Sequence, residues 1–154
     1  MELDLIRRLR QGPQDLPAVE STVSLRDLAK QEFTKLRLAI RQAGDAPNNT
    51  NIHKTRIRTK RARYAAELAE PTVGKPATRF INKARVVQDV LGMHQDAIQA
   101  EAHIRIFLKH STSTRAAFVA GRMVERQRQR RERARENMQR LLRGLLKRGE
   151  KAWG

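Results

Sequence analysis

The chain has 154 residues, with 33 Lys and Arg against 16 Asp and Glu, a formal charge of +17 and no cysteine. That length suits one domain, and the missing cysteine excludes disulfides, thiolate catalysis and cysteine-based metal sites. So large a positive charge bears on partners rather than on fold: nucleic acid, inorganic phosphate chains and acidic membrane surfaces are the classes it admits.

The first residues, Met1 to Arg8, lack the apolar core of a signal peptide. No apolar run approaches the roughly 18 residues of a membrane span, so a cytoplasmic protein is expected. Glu2 to Gln11 make a short amphipathic segment with Leu3, Ile6 and Leu9 on one face, closed by Gly12-Pro13 and followed by a linker. Residues 1–22 are therefore set apart from a helical domain over 23–154.

A first helix is expected from about Ser24, an N-cap, to about Ala43, with Leu25, Leu28, Ala29, Glu32, Leu36, Ala39, Ile40 and Ala43 as its core stripe. Arg26, Lys30, Arg37 and Arg41 align on another face. Gly44 suits a C-terminal cap. A second helix follows the polar turn 45–51 and ends near Glu70-Pro71. A third runs from about Ala77 to Leu91 and stops at Gly92; a fourth runs from about His94 to Lys109, with Ala97, Glu101, Ile104 and Leu108 along one side. After Ser111 to Thr114 comes a long helical stretch from about Arg115 to Lys147, roughly 50 Å if continuous, with Gly121 and Gly144 as kink points. Alternating apolar patterns are absent. The expected fold is all-α: an antiparallel bundle of about four helices plus a long C-terminal helix.

The second helix stands out. Lys54, Arg56, Arg58, Lys60, Arg61 and Arg63 follow one another with no acid before Glu67. At about 100° per residue, His53, Arg56, Lys60, Arg63, Tyr64 and Glu67 share one face, while Lys54 and Arg58 point away into solvent. Like-charge neighbours such as Arg56 and Lys60 cost roughly 0.2–0.5 kcal/mol each on an exposed helix. A bound polyanion, held by charge-assisted bonds to Arg and Lys, gives such a face a purpose; a solvated basic surface is the plain alternative.

The other constellations are weaker. His94 and His103 stand about 180° apart on a helix, so His94, Asp96, Glu101 and His103 cannot hold one metal. His94 is read as a helix-start residue near a cap. In the mixed run Glu125 to Glu136, Glu132 lies within helical reach of Arg128 and Arg135, and Glu136 of Arg133 and Arg140, which suits a solvated helix. Arg122 and Arg126 are further candidates for an anion site. No phosphate-binding glycine loop, no nucleophile with a matching base and no metal-binding carboxylate pair is present. The expectation is a protein that is not an enzyme and takes no cofactor or metal.

Two motifs in order, His53-x-x-Arg56-x-x-x-Lys60-Arg61-x-Arg63-Tyr64 and Gln88-Asp-Val-Leu91-Gly92-Met-His94-Gln95-Asp96, resemble the C-terminal half of a CHAD domain, the histidine-containing α-helical domain. Phe118 to Arg122 resembles the start of that family's last helix. The resemblance implies a basic helical surface that binds inorganic polyphosphate, with association to polyphosphate granules. Carried over by position, His53, Arg56, Lys60, Arg61, Arg63 and Arg122 are the ligand set, with Arg126, Arg37 and Arg41 added from charge alone. Tyr64, Gln95 and Asp96 are orienting residues. Met93 departs from the family pattern, where an acid is common. A full domain has two facing halves, so a homodimer or a complementary half is expected as partner. Nonspecific nucleic-acid binding, or an adaptor role for the long last helix, are the competing readings.

Overall fold

The computed structural model describes residues 24–154, so the amphipathic segment expected at 2–11 lies outside the described residues. Four helices follow in order: α1 (Leu25–Ala43), α2 (Asn49–Val73), α3 (Lys75–Lys109) and α4 (Thr114–Trp153). No strand occurs among the described residues. The all-α bundle is therefore as expected, but with three helices ahead of the long one rather than four.

Local chemistry sets the helix ends. The Ser24 hydroxyl accepts from the Asp27 amide at 3.1 Å and donates to the Asp27 carboxylate at 2.6 Å, so one orphan donor of the first turn is satisfied. Asn48 caps α2 by accepting from the Asn51 amide at 2.8 Å. Gly44 and Gly74 take positive φ after α1 and α2, a conformation that costs glycine little. Ser113 caps α4 through the Ala116 amide.

Two expected boundaries are corrected. Helix α2 passes Pro71 and ends at Val73. So near the end of the helix, proline removes only one intrahelical bond, and the Gly74 amide still closes the turn on the Glu70 carbonyl at 2.8 Å. Helix α3 runs unbroken through Gly92. A glycine inside a helix costs about 1 kcal/mol, less than burial of the flanking Val87, Leu91 and Ala97 contributes. The long last helix reaches Trp153, passing through Gly121 and Gly144 without interruption. At 1.5 Å per residue it is about 60 Å long.

Helix α2 packs between α1 and α3, and α4 lies mainly along α3 with a smaller contact to α1. The buried face of α2 is built almost wholly from small side chains: Ile52, Thr55, Thr59, Ala62, Ala65, Ala66 and Ala69. That stripe lets the basic helix sit close against both neighbours. The bulk of the core comes from the others. Phe33 of α1, Phe80 of α3 and Trp153 of α4 meet edge to face, with centroids 5.8 and 6.0 Å apart. Phe33, which lies off the stripe expected from the sequence, is buried, whereas Leu25, which lies on it, is exposed.

The main core stops at Leu91 on α3 and Met138 on α4. At that level the α1–α2 connector is fastened to α4: Gln139 donates to the carbonyls of Gly44 and Asp45. Residues 95–109 of α3 and 114–134 of α4 continue past it as a two-helix hairpin. The hairpin carries an apolar groove of about 680 Å³ lined by Ile104, Phe107, Ala116, Val119, Ala120 and Met123, of which Phe107, Val119 and Met123 are exposed.

Gly149 tests this packing. A Cβ at that position would stand 2.0 Å from Cε2 of Phe33, in the middle of the aromatic cluster. Gly149→Ala is expected to destabilise the fold by about 1–3 kcal/mol, lowering Tm by several degrees. A calorimetric scan with unchanged Tm would show that the α1–α4 contact is looser than described.

Candidate functional site

Because the small residues of α2 face inward, its charged residues fall on the flanks and the outer face. His53, Lys60 and Tyr64 are exposed, and Arg56 and Arg63 are half-buried beside the core stripe. These five share the outer face, as the helical spacing requires. Arg61 is exposed but sits well round the helix from Arg56, nearer the opposite flank. Arg58 is half-buried rather than solvated, because it borders Ala62 and Ala65 on the inward side.

Electrostatics along this face is lopsided. Arg63 donates to Glu67 at 2.6 Å, and Arg85 of α3 reaches the same carboxylate oxygen at 3.1 Å. Glu67 thus ties α2 to α3 and is shared by two guanidiniums. The Arg63 guanidinium also lies 4.5 Å from the Tyr64 ring centre, and Lys60 Nζ lies 5.7 Å from it. Tyr64 is therefore within cation–π reach of both Lys60 and Arg63. Among the described residues no ion pair is made by His53, Arg56, Lys60 or Arg61. The charges of Arg56 and Lys60 are uncompensated on the outer face, and that of Arg61 on its flank.

At the start of α2 the structure places a node that the sequence reading missed. His94 is fully buried in the middle of α3, not at a helix start. Its Nε2 accepts from Arg135 Nε of α4 at 3.2 Å, so its proton is on Nδ1. Arg135 also donates to the Pro47 carbonyl at 3.2 Å and to the Asn49 side chain at 3.0 Å. One guanidinium therefore joins α3, α4 and the α1–α2 connector. Burial first, then the charges of Arg135 and Arg131, push the His94 pKa down from the ordinary 6.5 to about 4. The two motif residues next to it, Gln95 (half-buried) and Asp96 (exposed), lie inside α3 as well. Among the described residues Asp96 makes no ion pair.

Further along the hairpin, Glu101 sits on the seam between α3 and α4 with only 12% of its side chain exposed. Arg105 donates to it twice, at 2.9 and 2.8 Å. Arg131 and Arg128 of α4 approach within 3.3 and 3.7 Å. The hydrogen bond from Arg105 and the charges of Arg131, Arg105 and Arg128 hold the Glu101 carboxyl below its usual range, against the opposing effect of burial. The expected pairs of Glu132 with Arg128 and Arg135, and of Glu136 with Arg133 and Arg140, do not form; Arg128, Arg131 and Arg135 reach across to α3 instead, and Arg140 donates to Asn137.

The remaining candidates are scattered. Arg122 and Arg126 are exposed on α4 beside Phe118, Val119 and Met123. They lie about 14–20 Å along the helix axis from Arg135, away from the α2 face. Arg37 and Arg41 lie on α1, half-buried and exposed respectively, with no described hydrogen bond or ion pair to α2. No cluster of three or more His, Cys, Asp or Glu suited to a metal occurs among the described residues. No described helix is long and apolar enough to cross a membrane.

The fold and this surface define a class: an all-α bundle with an uncompensated basic helix lying between two neighbours. The chain belongs to the CHAD domain family, whose model matches residues 1–105, a family associated with polyphosphate- and triphosphate-related binding. It is similar to the uncharacterized protein MT2285 of Mycobacterium tuberculosis strain CDC 1551 / Oshkosh and to the uncharacterized protein Rv2226 of strain ATCC 25618 / H37Rv. Each is 32% identical over 112 residues, which is 72% of this chain. The chain spans about a fifth of the length of those relatives, 21% in each case. No solved structure matches it.

The His94 node makes stability depend on pH. A folded pKa below the unfolded one means the fold prefers neutral imidazole. The stabilisation is complete above about pH 6.5 and is lost as pH falls toward 4, to at most about 3 kcal/mol. Between pH 6.5 and 5, above the carboxylate range, Tm of the natural sequence should fall more steeply than that of His94→Gln, which keeps an acceptor for Arg135. Parallel curves would remove His94 as the titrating group.

Proposed function

We propose that this chain binds inorganic polyphosphate, without catalysing a reaction on it, through the α2 face of His53, Arg56, Lys60 and Arg63, with Arg61 at its edge. The observation that supports this most is that Arg56, Lys60 and Arg61 have no acidic partner among the described residues, on a helix whose inward face is already committed to the core. Like charges held side by side are unfavourable until a polyanion neutralises them, and family membership names a ligand class with that chemistry. Binding proceeds by multidentate capture with release of counterions, so it weakens as salt rises. Such a chain would be carried to polyphosphate granules in the cytoplasm.

Aromatic scarcity on this face disfavours stacking on single-stranded nucleic acid. The decisive comparison is long-chain polyphosphate against duplex DNA of equal charge in matched salt, with free phosphate followed in the same mixtures. Arg56→Ala/Lys60→Ala/Arg63→Ala should weaken polyphosphate binding at least tenfold, with no phosphate released. DNA competing as well as polyphosphate would favour the nucleic-acid reading, and undiminished binding by the variant would show the face to be misassigned.

A second reading concerns assembly, and the exposed groove on the α3–α4 hairpin favours it. Two hairpins packed through Phe107, Val119 and Met123 would make a four-helix unit, and we propose a second copy of this chain as the partner. Light scattering should give a dimer mass for the natural sequence and a monomer mass for Val119→Glu; a monomer in both cases sinks this reading.

A further inference from the structure

Arg105, Arg128 and Arg131 are more cations than Glu101 requires. Arg105 alone satisfies one oxygen with two hydrogen bonds. Arg128 and Arg131 stand at ion-pair distance without making a hydrogen bond to it. One carboxylate thus gathers three guanidiniums and leaves a surplus of two positive charges. Arg105 lies on α3 with Glu101, so the ties from α3 to α4 are those of Arg128 and Arg131; one of them would hold the seam, and the second adds repulsion among the three guanidiniums. Their side chains are 51% exposed for Arg105 and Arg128 and 28% for Arg131. Each guanidinium carries about five N–H donors, so most of these donors remain open.

Position matters as much as charge. Arg128, Arg131 and Arg135 recur at helical spacing on one face of α4. Arg135 on that face touches Pro47 and Asn49, beside the first turn of α2. Arg131 and Arg128 therefore stand about 6 and 10 Å further along the hairpin from the start of α2. His53 lies about 6 Å along α2 from Asn49 in the other direction. The two basic surfaces are neighbours, joined at the Arg135 node.

We propose that the anion surface continues from α2 onto the α3–α4 hairpin, where Arg105, Arg128 and Arg131 around Glu101 form a second station for phosphate groups of a linear polyanion. This rests on the reading of the chain as a polyphosphate binder and extends it. Glu101 acts as a positioning residue that holds the three forks together when no anion is present. A long phosphate chain occupies both stations; a tripolyphosphate occupies one at a time.

The test compares the natural sequence, the α2 triple variant, and Arg105→Gln/Arg128→Gln/Arg131→Gln, using long-chain polyphosphate and tripolyphosphate across a salt series. The hairpin variant should bind the long chain at least tenfold more weakly. Its slope of log affinity against log salt should be shallower by about two, and tripolyphosphate stoichiometry should drop from two to one. If the hairpin variant keeps natural affinity and slope while the α2 variant is weakened, binding is confined to α2 and this proposal is overturned. If the hairpin variant is weakened and the α2 variant is not, the hairpin station stands and the α2 assignment falls. No binding by the natural sequence removes both. Helix content by circular dichroism controls for folding; should the triple variant lose helix, Arg105→Gln/Arg128→Gln, which leaves the more buried Arg131 in place, carries the same comparison.

Discussion

Arg135 is the fastening on which the arrangement turns. A guanidinium is planar, always charged and able to donate in several directions at once, and here it meets acceptors on three separate pieces of chain. Replacing it with a lysine would leave a single point charge to serve acceptors that lie along different directions. The contact with His94 also explains why a fully buried histidine is compatible with so basic a protein. A protonated imidazole would face Arg135 at hydrogen-bond distance with no acceptor to offer. Burial and charge therefore act in the same direction, and the ring stays neutral.

The node also marks where the molecule changes character. On one side lie four helices around an apolar core; on the other is a pair of helices whose seam is partly polar. The apolar supply explains the division. α1 and α2 together cover α3 and α4 only as far as Leu91 and Met138, and beyond that Glu101, Arg131 and their partners occupy the seam positions. Such contacts specify register but contribute less than apolar burial would. The hairpin consequently shows the exposed side chains of Ile106, Phe107, Phe118 and Met123, a surface suited to a further layer.

Much of this was legible in the sequence. The basic outer face of α2 follows from periodicity, and the break at Gly44 follows from glycine's tolerance of positive φ. What failed did so for identifiable reasons. Gly92 reads as a stop, yet tertiary burial on both sides of it outweighs its local preference. Leu25 reads as core because it matches the stripe, but at the first residue of α1 it lies past the neighbours that would cover it. Helical spacing pairs the arginines of α4 with Glu132 and Glu136, because spacing along one helix is all that a sequence displays. Glu101 was the available clue: a carboxylate on an otherwise apolar stripe must find cations on another element, and Arg128, Arg131 and Arg135 recur at the spacing that supplies them.

Charge and fold are coupled through that same feature. With a surplus of 17 positive charges, self-repulsion opposes compactness, and added salt relieves it while weakening any anion contact. A ligand that binds only the folded chain adds stability according to its concentration relative to Kd. For this protein the groups that gain most from an anion are those whose proximity costs most without one, on α2 and around Glu101. Their placement follows from the fold: the small inward face of α2 and the polar seam of the hairpin hold cations closer together than free side chains would settle. The apolar core with the Arg135 node supplies the stability that keeps these like charges in place.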